Sequence, residues 1–124
     1  MAKCDTGYFC RICENYVEDI TESELYLRYV LGEVPFEQLV NAPEAHIRCV
    51  PEVAQYIADR AFGEPVVVED PQHDKRHQDR AWVTRREQRV SDAWRRLQML
   101  LGSGLGIEDY PLPPESSAII EPAS

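Results

Sequence analysis

Cys10-Arg-Ile-Cys13 and His46-Ile-Arg-Cys49 decide how this chain is read: a CxxC, a gap of 32 residues, then an HxxC. A two-residue spacing lets one tight turn aim two side chains at a common point, and two such pairs supply the four nitrogen and sulfur donors of a tetrahedral zinc ion. In a reducing compartment, clustered cysteines are more often metal ligands or redox groups than disulfides. Cys10, Cys13, His46 and Cys49 are therefore the expected ligands. The expected cofactor is Zn2+, in a structural role, because four protein donors leave no open position for a reacting water. Glu14 and Glu44 lie near the ligands in sequence, but nothing in the pattern sets either on a metal-bound water.

Other readings of the same residues stay open. Cys10 and Cys13 alone form a thiol redox pair in some proteins, although the helix that usually follows such a CxxC is missing here. Cys4, Cys10, Cys13 and Cys49 together have the makings of an iron–sulfur site. Unconnected thiols and a surface histidine are the plainest alternative. Cys4 is either a spare thiol or a replacement for His46 as the fourth ligand.

The chain after Cys49 bears on the fold. Pro51 suits the first turn of a helix, and Val50, Val53, Ala54, Ile57 and Ala61 recur at helical spacing. A helix over 51–62 is expected, with Cys49 at its N-terminus, where free N–H groups favour a thiolate. Ligands on a loop plus a ligand pair opening a helix resemble the treble-clef class of zinc domain, through Cys10, Cys13, His46, Cys49 and the helix after them. The resemblance spans residues 8 to about 62. It implies a zinc-binding scaffold and leaves the function open, because such modules serve many.

Elsewhere the expectation is mainly helical. Thr21-Glu22-Ser23-Glu24 reads as a capping box that opens a helix over 22–31, closed by Gly32. Leu25, Tyr26, Tyr29 and Val30 form one face of it, and Leu27 and Leu31 another, so it is either buried on several sides or meets a partner. Strand-like alternation of Leu25, Leu27, Tyr29 and Leu31 is the weaker reading. A short helical turn follows Pro35, and Val66-Val67-Val68 is the best strand candidate. Residues 79–101 read as one long helix. Its stripe of Val83, Val90, Trp94, Leu97 and Leu101, interrupted by Glu87, either packs across the metal module or pairs with a second copy. Leu25, Tyr26, Tyr29 and Trp94 are the candidate partner face.

With 22 acidic and 13 basic residues among 124, the net charge is −9, which argues against bulk binding to nucleic-acid backbones or anionic membranes. The charge is uneven. Residues 1–73 hold 5 basic and 14 acidic groups, whereas residues 74–101 hold 8 and 4. Arg85, Arg89 and Arg96 share one side of the long helix and are candidate contacts for nucleic acid or an acidic partner. Asp92 is spaced to neutralise Arg89 and Arg96. His73 and His77 have the spacing of two ligands on a helix, but the segment is polar and reads as solvated surface. From Gly102 the composition turns to glycine and proline, so residues 102–124 are expected to form a flexible tail.

The expected organisation is a zinc-binding helical module over 1–73, a long basic amphipathic helix over 74–101, and the tail. The N-terminus lacks the apolar core of a signal peptide, and the default compartment is the cytoplasm. The expected function is a non-enzymatic zinc-binding interaction or regulatory module, whose partner is another protein or a second copy. A nucleic-acid-binding regulator and a thiol redox protein are the alternatives.

Overall fold

A computed structural model describes residues 9–113; Cys4 and residues 114–124 lie outside the described residues. The first regular helix, α1 (Glu24–Leu31), begins where the hydroxyl of Ser23 accepts the backbone N–H of Tyr26. Thr21 does not cap it. Its N–H and hydroxyl both turn back onto the Asp19 carboxylate, which caps a 3-10 turn at Ile20–Glu22 just before α1. Glu24 pairs with Arg28 one turn on, at 2.9 Å, and with Arg11 at 3.9 Å. Burial nevertheless pushes its carboxyl up, against the pull of those two guanidinium groups. Gly32 ends the helix at φ 84°, a left-handed conformation that glycine adopts without penalty.

Helix α1 is apolar nearly all round because it is buried nearly all round. Leu27 and Val30 are fully enclosed, and Leu25, Tyr26 and Tyr29 almost so. Its main neighbour is the long helix α4 (Arg80–Leu100), which starts at an Asp79 cap. The inward stripe of α4 is Val90, Ala93, Trp94, Leu97 and Leu100, all buried in one core with α1. The helix ends one residue earlier than expected, so Leu101 leaves the stripe and is 54% exposed. Of the two readings of that stripe, packing within the chain is the one observed. Leu25, Tyr26, Tyr29 and Trp94 all belong to this core, and their apolar surface is buried within the chain.

Helix α2 (Gln38–Asn41) is the short turn expected after Pro35. The helix expected over 51–62 is not formed. Only α3 (Pro51–Ala54) is α-helical, followed by turns and a 3-10 turn at Arg60–Phe62. Side chains have taken over the backbone donors that a longer helix needs. Ala58 N–H donates to the buried hydroxyl of Ser91 on α4, at 2.8 Å, and Ala61 N–H donates to Asp59. Buried Gln55 then joins three segments. Its amide donates to the carbonyls of Glu52 and His73, and its carbonyl accepts from Lys75 N–H.

Val66-Val67-Val68 is not a strand. Among the described residues there is no sheet, only two isolated antiparallel bridges, Phe9 with Tyr16 and Ser23 with His46. A β-branched run needs a neighbour to pair with, and none lies alongside this one. Residues 102–113 also depart from expectation. The hydroxyl of Tyr29 donates to the carbonyl of Ile107, Leu112 N–H donates to Val30, and Arg96 donates to the carbonyls of Asp109 and Tyr110. Ile107, Tyr110 and Leu112 pack on the main core, so this stretch is a docked strap. Core residues thus come from 25–57 and from α4, with the strap packed against them.

Asp74 offers a test of the local packing. Its buried carboxylate accepts the side-chain and backbone N–H groups of Arg76, which hold its pKa down at about 2. A depressed folded pKa adds stability that is complete above the unfolded value of about 3.9 and is lost as pH falls through the folded value. Stability should therefore drop between about pH 4 and pH 2. In urea melts, Asp74→Asn is expected to start lower at pH 6 and to lose part of that acid dependence. An unchanged acid profile would contradict the assignment.

Candidate metal centre

The four expected ligands come together. Sγ of Cys10, Cys13 and Cys49 and a ring nitrogen of His46 all lie within 4.8 Å of one another. Nδ1 of His46 is 3.3 Å from the Cys13 sulfur and 3.8 Å from the Cys49 sulfur. Donors on one tetrahedral zinc, at bonds of 2.0–2.3 Å, stand about 3.5–3.8 Å apart. The spacing fits a single ion. The three cysteines are free thiols.

Backbone contacts between distant segments fix this geometry. Arg11 N–H donates to the carbonyl of Glu44 at 2.9 Å, and Glu24 N–H donates to that of Ala45 at 2.9 Å. These bonds, with the Ser23–His46 bridge, hold the second ligand pair between the first ligand loop and the start of α1. Cys10, Val17 and Ala45 form a small buried cluster beneath the site, apart from the main core.

The Cys10 loop is shaped around a sulfur anion. The N–H groups of Ile12, Cys13 and His46 all point at Cys10 Sγ, each at 3.4 Å. Burial works against ionisation of this thiol, yet the three donors outweigh it and bring the pKa down to about 6. Cys49 goes the other way. Burial, followed by the nearby Cys13 and Cys10 sulfurs, pushes it up to about 12. The helix terminus expected to favour its thiolate is only a one-turn helix, too little to offset crowding by other sulfurs. Three thiols this close do not ionise together unless a cation sits among them, and a bound divalent ion would favour the thiolate of each coordinated sulfur.

His46 is oriented from behind. Its Nε2 is 3.0 Å from the carbonyl of Tyr16 and 3.5 Å from a Glu22 carboxylate oxygen. The tautomer that suits both neighbours carries its proton on Nε2 and leaves Nδ1 free as a donor, the usual second contact of a ligating histidine. Burial disfavours the imidazolium, but contacts with Cys10, Tyr16 and Cys13 outweigh it and raise the pKa.

Sequence reasoning missed these supporting groups. Tyr16 acts through its backbone, which side-chain identity does not reveal. Glu14 is the other omission. At φ 68° it is the one non-glycine residue in the left-handed region among those described. The chain must reverse after Cys13 to bring Glu14 N–H onto the carbonyl of Cys10, at 2.9 Å, and that reversal is the available clue. A left-handed non-glycine residue costs about 1 kcal/mol or more. Glu14→Gly is therefore expected to raise stability by roughly 1 kcal/mol in denaturant titrations, whereas a loss would show that the Glu14 side chain contributes something else.

One of the three stripe arginines is committed within the chain. Arg96 is bound to strap carbonyls. Asp92 pairs with Arg95 at 2.8 Å and accepts from Gln88, not from Arg89 or Arg96. Arg86 pairs with Glu33 and Arg95 also with Asp59. Arg85 is exposed and Arg89 half-buried. His73 and His77 are exposed, and His73 is 2.9 Å from Asp70. No helix among the described residues is long and apolar enough to cross a membrane. No protein-family model, curated protein or solved structure matches the chain.

Proposed function

We propose that Cys10, Cys13, His46 and Cys49 hold one zinc ion as a structural cross-link, and that the protein is a non-enzymatic module that acts by binding another protein. The observation that carries the metal reading is the convergence of four soft and borderline donors within 4.8 Å, a set that suits zinc and fills its tetrahedron. The treble-clef likeness is kept only as a proposal about the ligand segments, since the helix after Cys49 is one turn long.

Burial also supports metal binding over thiol exchange. Cys10, whose thiolate is favoured by three N–H groups, is 1% exposed, whereas an exchanging thiolate needs access. The interaction role is supported by apolar side chains at the surface of the metal loop. Phe9, Ile12 and Tyr16 are all exposed, with Phe9 and Tyr16 in edge-to-face contact.

Elemental analysis of the purified chain tests the metal reading. One equivalent of zinc is expected, and cobalt substitution should give the intense visible bands of a tetrahedral site with thiolate charge transfer. Iron with sulfide, or no metal with all four thiols titratable, would overturn it. For the interaction role, Ile12→Asp should release a bound partner while the zinc content stays at one equivalent.

A further inference from the structure

The donors of the metal centre are not equally open. Cys13 is exposed and Cys49 half-buried, whereas Cys10 is enclosed. Cys13, His46 and Cys49 line a cavity of about 450 Å3 that Phe62 and Trp94 also line, and Cys10 is not on its wall. The sulfurs differ too in how firmly they are held. Three backbone N–H groups converge on Cys10 Sγ. Those of Cys13 and Cys49 stand against the same His46 Nδ1, at 3.3 and 3.8 Å, and lie within 4.8 Å of each other.

We propose that Cys13 and Cys49 are a redox-sensitive pair, which a peroxide converts to a disulfide with release of the zinc. The proposal rests on the zinc reading above. A zinc-bound sulfur is a thiolate, the form that peroxide attacks, and the accessible sulfur reacts first. The Cys13 thiolate takes one peroxide oxygen as a hydroxyl; the O–O bond breaks, and hydroxide leaves and is protonated to water. The Cys49 thiolate then attacks the sulfenic sulfur of Cys13. The S–S bond forms, the S–O bond breaks, and a second hydroxide becomes water. Two thiolates, one hydrogen peroxide and two protons give one disulfide and two waters, with two electrons passing from sulfur to oxygen. Cys10 is the competing resolving thiol, but it would have to leave its three N–H donors. A bond from Cys10 to Cys13 would also close only one turn. A bond from Cys13 to Cys49 joins the same two segments as the ion, so the oxidised chain stays cross-linked while the ion, left with two donors, departs.

The test starts from the full-length protein assayed for zinc, then treated with hydrogen peroxide beside a zinc-sensitive dye. Remaining thiols are alkylated and the chain is digested with trypsin. Cleavage after Lys3, Arg11, Arg28, Arg48 and Arg60 puts Cys10, Cys13 and Cys49 on separate peptides, 4–11, 12–28 and 49–60. One zinc should be released per disulfide, with peptide 12–28 linked to 49–60, and dithiothreitol with added zinc should reverse both changes. The oxidised protein should melt at a higher temperature than the reduced protein stripped by a chelator. A link between 4–11 and 12–28, sulfinic or sulfonic acid on Cys13 without a link, or full retention of zinc at peroxide levels that oxidise free cysteine would each overturn the proposal. Protein that carries no zinc before treatment would defeat the metal reading instead, and the peptide map would still decide the pairing.

Discussion

Removing the metal with a strong chelator is expected to unfold the ligand segments and to lower the melting temperature by well over 15 °C. Structural zinc in small modules contributes on the order of 10 kcal/mol, comparable with the whole stability of a domain this size. The packing beneath the site cannot replace it. Cys10, Val17 and Ala45 make up a cluster separate from the main core, and the loop around Cys13 is exposed. The loss should be uneven. Amides of Cys13 and His46 should exchange freely in the metal-free protein, while those of Val30 and Leu97, in the core shared by α1 and α4, keep more protection. Cys10→Ser should behave like chelation. Its sulfur takes three backbone N–H groups, and a serine hydroxyl is a poor zinc ligand with shorter reach. Circular dichroism melts and hydrogen exchange that are the same with and without chelator would refute a structural metal.

The ligand set was legible because its signal is local and discrete. CxxC and HxxC each fix two side chains over one turn, and the fold brings the four donors together. Helices α1 and α4 were also legible, from Gly32 at the end of α1 and from the apolar spacing within both. What failed depended on distant atoms. The helix over 51–62 has the right periodicity, but Ser91 on α4, 33 residues away, captures the N–H of Ala58. Thr21 reads as the cap, but Asp19 takes Thr21 and Ser23 caps the helix instead. Composition made residues 102–113 look structureless. Yet Ile107, Tyr110 and Leu112 suffice to dock a strap when Tyr29, Val30 and Arg96 offer hydrogen-bond partners. Asp92 was spaced for Arg89 and Arg96 and chose Arg95, which Asp59 also holds from another segment.

Leu97→Ala should cost about 3–5 kcal/mol, and Leu101→Ala less than about 1 kcal/mol. Both leucines fall on the heptad-like stripe read in the sequence, which weights them equally. The structure separates them. Leu97 is fully buried between α4 and the rest of the core, so its truncation loses transfer energy and leaves a cavity among rigid neighbours. Leu101 follows the end of the helix and is 54% exposed, so little is lost there. Trp94→Ala should fall with Leu97, since Trp94 is 8% exposed and its ring meets Phe62 edge-on at 5.5 Å. Urea denaturation of the three variants decides between the two uses of the stripe. If α4 were instead the seam of a two-stranded coil, Leu97 and Leu101 would cost similar amounts, and the melting temperature would rise with protein concentration. Either result would show that the face now closed against α1 belongs to a second chain, and the internal core described above would have to be given up.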